Sequence, residues 1–432
     1  MACCLTARGF HQEVNSALRT ARRRPRLYIK QRGDIYTSES SIYIADIIYI
    51  EIYFLRKFRS YYVLEIDLNQ NYKISVKEPQ VLRVIEPDGT LREEAELGYK
   101  PSEGELVKLY RYMVTARVLD RHALLLHRMG KVRSTYGPHE GHEAADAGTV
   151  HVLKPEDWIA PYYRMLTALM IRGVPLQTIW AKFFAKQGDP DKGRNLTVEW
   201  GGFAKWRILS VGAPIGHQYI YAAGFAYALR YMKRDEIVAA YIGDGGTSTN
   251  GFHTGLNFAG VFKLPVVFYV YNNQYAISVP VRRQTAVTRL AVKAAAYGIE
   301  GIAADGMDLL AVLKAAHYAV SKARRGEPVL VELVTYRFGP HTTADDPATR
   351  YRDPAEAEEW RRYDPIARLE AYFKKYGILT EREIKLTWEE AEAEVKAAAK
   401  EAESYPEIPK EWIVEDVYSY IPPHLREELE EL

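Results

Sequence analysis

The stretch AAYIGDGGTSTNG, Ala239–Gly251, ends an apolar run on a glycine-rich turn that carries a carboxylate. Glycine turns between a strand and a helix cradle phosphates, because bare backbone N–H groups and the helix N-terminus both favour anions. Asp244, set between Gly243 and Gly245, would repel such a phosphate. Either the ligand is not an anion or a cation stands between the two. The run EIVAAYIG, Glu236–Gly243, predicts a buried strand. FHTGLNFAGVF, Phe252–Phe262, predicts a helix, and LPVVFYVYNN, Leu264–Asn273, a second buried strand. In a right-handed strand–helix–strand unit the two strand ends are neighbours, and open α/β sheets bind ligands beyond strand C-termini. Asp244 and Asn273, 29 residues apart, therefore share one rim. A carboxylate, an amide oxygen and a carbonyl from the following loop suit magnesium, which completes its octahedron with water and substrate phosphate.

Working outward, PSEGELVKLYRYMVTARVLDRHALLLHRMG, Pro101–Gly130, reads as an amphipathic helix behind a Ser-x-x-Glu start. Helices are predicted over Val174–Phe184 and Ile220–Met232. The alternation continues through AVTRLAVKAAAYG (Ala286–Gly298), DLLAVLKAAHYAVSKARRG (Asp308–Gly326) and PVLVELVTYRFG (Pro328–Gly339). Apolar strands separated by helices predict an α/β fold, a parallel sheet flanked by helices on both faces, with helical N- and C-terminal extensions. Residues 1–78 read as an atypical leader, arginine-rich and then dense in Ile and Tyr, expected to be poorly ordered, lineage-specific or the product of a mis-assigned start. Residues 79–362 read as the main domain. Residues 363–432 read as a charged helical region whose segment Trp388–Glu403 is expected to be a solvated helical face.

Composition narrows the function classes. The 432 residues are 47% hydrophobic and 26% charged, as in ordinary soluble globular proteins. Lys and Arg number 58 against 56 Asp and Glu, a formal net charge of +2, so no nucleic-acid partner is expected. The two cysteines, Cys3 and Cys4, are adjacent and form neither a staple nor a metal set, which makes the reduced cytoplasm the expected compartment. Ile42–Leu55, the longest apolar candidate, carries Asp46 and Glu51 and falls short of the roughly 18 to 20 residues of a membrane span.

A dinucleotide fingerprint would need a third glycine where Ser248 stands, and no Gly-x-x-x-x-Gly-Lys-Ser/Thr loop occurs. Gly243-Asp244-Gly245 with Asn272-Asn273 instead resembles the thiamine-diphosphate motif. GDGGTSTNGFHTGLNFAGVFKLPVVFYVYNNQYAIS is similar to the alpha subunit of the thiamine-dependent decarboxylating component of pyruvate and branched-chain 2-oxo acid dehydrogenase complexes. The likeness runs from about Pro101 to the C-terminal HLREELEEL.

That resemblance implies a thiamine-diphosphate-binding fold, with residues 79–362 as the domain on the diphosphate side. It implies magnesium held by Asp244, Asn273 and the main-chain oxygen of Tyr275, with Gly245 and Gly246 close to the diphosphate. WIAPYYRML supplies Tyr163 and Arg164 to the cofactor, and SVGAPIGHQ supplies Gly212, Ala213 and Ile215. In YRFGPHTTADDPATRYR, His341 is the implied catalytic residue, Arg337 supports the site, and Asp345, Asp346 and Arg350 order the loop. HEGHEAAD, with His139 and His142, is implied to be structural. The implied partners are a beta subunit in an alpha2-beta2 heterotetramer, which brings the glutamate that activates the aminopyrimidine, a lipoyl acyltransferase core and a 2-oxo acid substrate. An acetoin dehydrogenase alpha subunit and a non-catalytic cofactor-binding module are the alternatives. The chain departs from the pattern at Thr249 and Asn250, where similar chains carry Ser-Glu-Gly-Asp over 248–251. Tyr162 and Tyr271 stand in place of Gln and Arg, and His217 stands in place of a Thr near a potassium site, so no potassium is implied.

Overall fold

The computed structural model describes residues 62–66, 72–76, 78–92, 98–212, 214–345, 347–415 and 418–431. The chain divides into two units, Met1–Lys77 and Glu78–Leu432. In the first, β1 (Tyr62–Ile66) pairs antiparallel with β2 (Tyr72–Val76), Tyr62 opposite Val76. The other expectations for the leader, and those for Ala213 and Asp346, lie outside the described residues.

The second unit runs β3 (Val81–Leu82), α1 (Glu103–Arg128), α2 (Glu143–His151), β4 (Trp158–Ala160), α3 (Leu166–Ile171), α4 (Leu176–Phe184), α5 (His217–Tyr231), β5 (Val238–Gly243), α6 (Asn250–Phe262) and β6 (Val266–Asn272). A short hairpin follows, β7 (Tyr275–Ala276) with β8 (Val279–Pro280), then β9 (Glu300–Asp305), α7 (Leu309–Ala323) and β10 (Val329–Val334). The chain closes with α8 (Pro354–Arg361), α9 (Pro365–Tyr376), α10 (Glu381–Glu403) and α11 (Pro423–Glu431). The sheet order is β3-β9-β10-β6-β5-β4 and every pairing in it is parallel.

Why β5 and β6 read as unbroken apolar runs follows from the layers. Successive strand residues point to opposite faces. Ala239, Tyr241, Val267 and Tyr269 enter one core with α1, α2, α4 and α7, while Val238, Ala240, Val266 and Phe268 enter another with α5 and α6. Both faces are covered, so neither tolerates a polar alternate residue. The Ser102–Glu105 pair closes a full capping box at the start of α1. In α10 the expected solvated face is real but partial: Ala391, Val395, Ala398 and Ala402 form a buried stripe at helical spacing that packs on α1 and α4. Ala286–Gly298 yields only a 3-10 segment, Leu290–Tyr297, and β9 beyond it was not foreseen. Gly301 in β9 lies so close under the Ala291 carbonyl that any Cβ would strike it.

Helices α5 and α6, which carry the turns beside the site, pack at glycine contact. A Cβ on Gly255 would sit 2.6 Å from the Tyr219 carbonyl oxygen. Gly216, at φ +88°, faces the Thr249 side chain, and Gly251 faces the Gly216 carbonyl, each too closely for a Cβ. Gly255→Ala should therefore cost about 1–3 kcal/mol through overpacking. Gly224→Ala, on the open side of α5 with nothing within 4 Å, should stabilise by about 1 kcal/mol. Thermal denaturation of the two variants should move the melting temperature in opposite directions.

Candidate functional site

Beyond the strand ends lies a cavity of about 480 Å³. Gly243 of β5 pairs with Tyr271 of β6, so Asp244 and Asn273 leave the sheet at the same level. Tyr163, Ile215, Asp244, Gly245, Gly246, Asn273, Tyr275, Arg337 and His341 all line the cavity. Arg164 and Gly212 do not. A Cβ on Gly245 would reach within 2.6 Å of the Ala276 Cβ, whereas one on Gly243 would meet nothing within 4 Å. The turn is thus packed behind and open in front, with room for a ligand against its backbone.

Asp244 is 1% exposed, and burial pushes its carboxyl up to about 6. Its Oδ2 accepts from Gln284 Nε2 at 2.6 Å. Its Oδ1 lies 3.1 Å from one end of the Asn273 amide, and that same end lies 3.0 Å from the Tyr275 carbonyl oxygen. The opposite end of the amide lies 3.3 Å from His142 Nε2. Which end is oxygen follows from His142. The ring is buried and its Nδ1 lies 3.0 Å from the His139 carbonyl oxygen, so Nδ1 carries a proton and donates it. Burial, reinforced by Arg164, holds the ring well below the ordinary histidine range, so it is neutral and Nε2 is an acceptor. The amide nitrogen must face His142, and the amide oxygen faces Asp244 and Tyr275. Turning the amide over would satisfy those two oxygens and set its own oxygen against the His142 lone pair.

Three oxygens with no proton between them converge there: carboxylate, amide and carbonyl. Ligands about 2.1 Å from magnesium at octahedral angles sit about 3.0 Å from one another. The set therefore fits a small hard cation.

His341 lines the same cavity, its Nδ1 sharing Arg337 Nη1 with the Tyr275 carbonyl. Its Nδ1 lies 3.4 Å from Arg164 Nη2 and 3.5 Å from Arg337 Nη1, and Arg164 Nη2 donates to the His341 carbonyl at 2.8 Å. Burial and then the two guanidinium charges lower the ring to about 4. At neutral pH the ring is uncharged, its Nδ1 faces donors, and its proton sits on Nε2. The Tyr163 ring meets it edge to face at 5.8 Å. Arg337 is itself anchored, donating to the carbonyls of Tyr275 and Ile277 at 3.2 and 2.7 Å and to Tyr351 Oη at 2.9 Å.

Arg164 sits behind the wall at 1% exposure and uses its guanidinium on the Pro138 and His341 carbonyls. Tyr162 lines the cavity, but Tyr271 packs inward against the His142 ring. Asp345 orders its loop by accepting from Thr342 Oγ1 at 2.6 Å. Thr249 caps α6, accepting from the Phe252 N–H and donating to the Gly246 carbonyl. Sequence reading missed Gln284, Gln218 and Glu199. The last two line the cavity. Gln218 closes the quoted SVGAPIGHQ segment without having been given a role, Glu199 and Gln284 lie in no quoted motif, and only the folded hairpin brings Gln284 back to Asp244.

Residues 110–411 match the dehydrogenase E1 component family. The chain is 40% identical over 328 residues to the pyruvate dehydrogenase E1 component subunit alpha of Acholeplasma laidlawii, covering 76% of this chain and 92% of that one. It is 36% identical over 354 residues to the protein of the same name from Staphylococcus aureus, covering 81% and 92%. It is 38% identical over 360 residues to the 3-methyl-2-oxobutanoate dehydrogenase subunit alpha of Mycobacterium tuberculosis, covering 81% and 93%. The family match takes in β4 to β10, the glycine turn and the His341 loop together, and the chain belongs to the dehydrogenase E1 component family, as an alpha subunit of the pyruvate and branched-chain 2-oxo acid dehydrogenase type and hence an oxidoreductase.

Proposed function

We propose that this chain takes part in the thiamine-diphosphate- and magnesium-dependent oxidative decarboxylation of a 2-oxo acid, pyruvate or a branched-chain analogue, with acyl transfer to the lipoyl group of an acyltransferase core. The observation that carries this reading is the convergence of three oxygens, none of which donates to another, beside an open glycine turn. When bound, thiamine diphosphate would supply the electron sink for loss of carbon dioxide. Asp244, Asn273 and the Tyr275 carbonyl would hold magnesium. Gly245 and Gly246 would admit the diphosphate to the turn backbone and the start of α6. Arg337 and, through His341, Arg164 place positive charge near the anionic groups. His341 holds a proton at Nε2 for donation to a developing oxyanion, in a cavity that Tyr163 and Ile215 also line.

An incomplete assembly is supported by a largely apolar outer face. Helix α6 contains no Asp, Glu, Lys or Arg; Phe258, Val261 and Phe262 on it and Ile220 and Tyr227 on α5 are all exposed, with Arg230 of α5 at the edge, donating to the Phe262 and Lys263 carbonyls. A beta subunit in an alpha2-beta2 heterotetramer accounts for that face. Residues 79–362 then form the diphosphate-side domain, with the helices of 363–432 attached. Among the described residues no helix is long and apolar enough to cross a membrane, and Cys3 and Cys4 fit a cytoplasmic setting. Reconstitution with a beta subunit and a panel of 2-oxo acids should give lipoyl-dependent turnover that requires both thiamine diphosphate and magnesium. Turnover unaffected by removal of either would sink the reading.

The raised Asp244 carboxyl fixes a pH signature. Protons compete with the cation once the pH falls to about 6, so magnesium affinity should drop about tenfold per pH unit below that point. Calorimetric titration between pH 5 and 8 checks it.

A further inference from the structure

Gln284 plays no part in the reading above, yet it touches the charged member of the three converging oxygens. Its Nε2 donates to Asp244 Oδ2 at 2.6 Å and to the Val279 carbonyl at 2.9 Å. Both amide hydrogens are consumed, and turning the amide over would set its oxygen against two acceptors, so the orientation is fixed. Gln284 Oε1 has no partner and exerts no opposing pull. The residue is itself held, since its N–H donates to the Val281 carbonyl and the Val281 N–H donates to the Gln274 carbonyl. The segment that supplies Asn273 and Tyr275 therefore turns through the β7–β8 hairpin and returns to grip the third oxygen donor.

We infer that Gln284 is a positioning residue that holds Asp244 to one-oxygen coordination and so sets the site's preference for magnesium over calcium. With Oδ2 tied to Gln284, only Oδ1 faces Asn273 and Tyr275. Calcium takes six to eight oxygens at about 2.3–2.6 Å and uses bidentate carboxylates, whereas magnesium takes six at about 2.0–2.1 Å and uses single oxygens. Releasing Oδ2 frees the carboxylate to swing to the two-oxygen mode. The inference rests on the proposed metal site.

The test uses the full chain with its beta subunit and thiamine diphosphate, titrated calorimetrically with magnesium and with calcium. Gln284→Met keeps the bulk of the side chain and removes the donor; Gln284→Ala removes both. Both variants should bind magnesium about 10- to 100-fold more weakly, as loss of a group that orients a ligand does, and the magnesium-to-calcium affinity ratio should fall about tenfold. Retained magnesium affinity in Gln284→Met with loss only in Gln284→Ala would assign the residue to packing and overturn the inference. Parallel weakening for both cations, with an unchanged ratio, would also overturn it, as a general disturbance of the turn. Wild-type protein that binds neither cation would bring down the metal site itself and the inference with it. Melting curves in chelator confirm that both variants are folded.

Discussion

Asp244→Ala should weaken magnesium-dependent binding of thiamine diphosphate by about 100-fold or more. A charge-assisted contact contributes roughly 1.5–3 kcal/mol, and here the lost group also carries the only formal charge among the three converging oxygens. Calorimetry with and without magnesium measures the loss, and unchanged affinity would refute the metal assignment. The same residue should act in the opposite sense on stability. Its folded-state carboxyl titrates at about 6 against 3.8 ordinarily, so the metal-free protein loses stability as pH rises through that window. Asp244→Asn should accordingly raise the melting temperature in chelator at pH 7 by a few degrees, an effect that vanishes below about pH 4. Excess magnesium should erase the gain, because only the wild type has the ionised ligand to offset burial.

His341→Ala should leave cofactor affinity within a few-fold of wild type while lowering lipoyl acylation about 10²- to 10⁴-fold, the range for loss of a positioned proton donor or acceptor. The separation follows from the division of roles: the ring supplies none of the three converging oxygens, and its Nδ1 is already committed to the guanidinium side. Full acylation by the variant in the presence of the beta subunit would remove His341 from catalysis. Its carbonyl still accepts from Arg164 in that variant, so Arg164 keeps a partner and the loop keeps its anchor.

The strands that place the site were legible because their signal is local. β5 and β6 are covered on both faces and spell that out residue by residue, and the glycine turn declares its charge conflict within five residues. Helix α1 announces its start through Ser102 and Glu105. β9 was silent, since its Gly-Ile-Ala-Ala run is selected by the close approach of Ala291 and not by strand propensity. Gln284 was silent, and His142 was read as structural without its contact to Asn273, for a different reason. Each acts on a ligand 40 or 131 residues away through one hydrogen bond, and no spacing rule encodes contacts made by a hairpin or by a helix from across the sheet. The orientation of the Asn273 amide, on which the metal reading turns, depends wholly on that second kind of contact.

The Gly216–Thr249–Gly251 contact bears on how this sequence drifts. Thr249 fills the space a side chain at 216 would need, and residue 251 lies against the 216 carbonyl. Neither loop is therefore free to change alone. A chain with this backbone would clash on acquiring any side chain at 251, unless the stretch around 216 moved with it. Positions 216, 249 and 251 thus form one coupled set, and a substitution at 251 should be tolerated only with compensating change in the loop Pro214–Gly216.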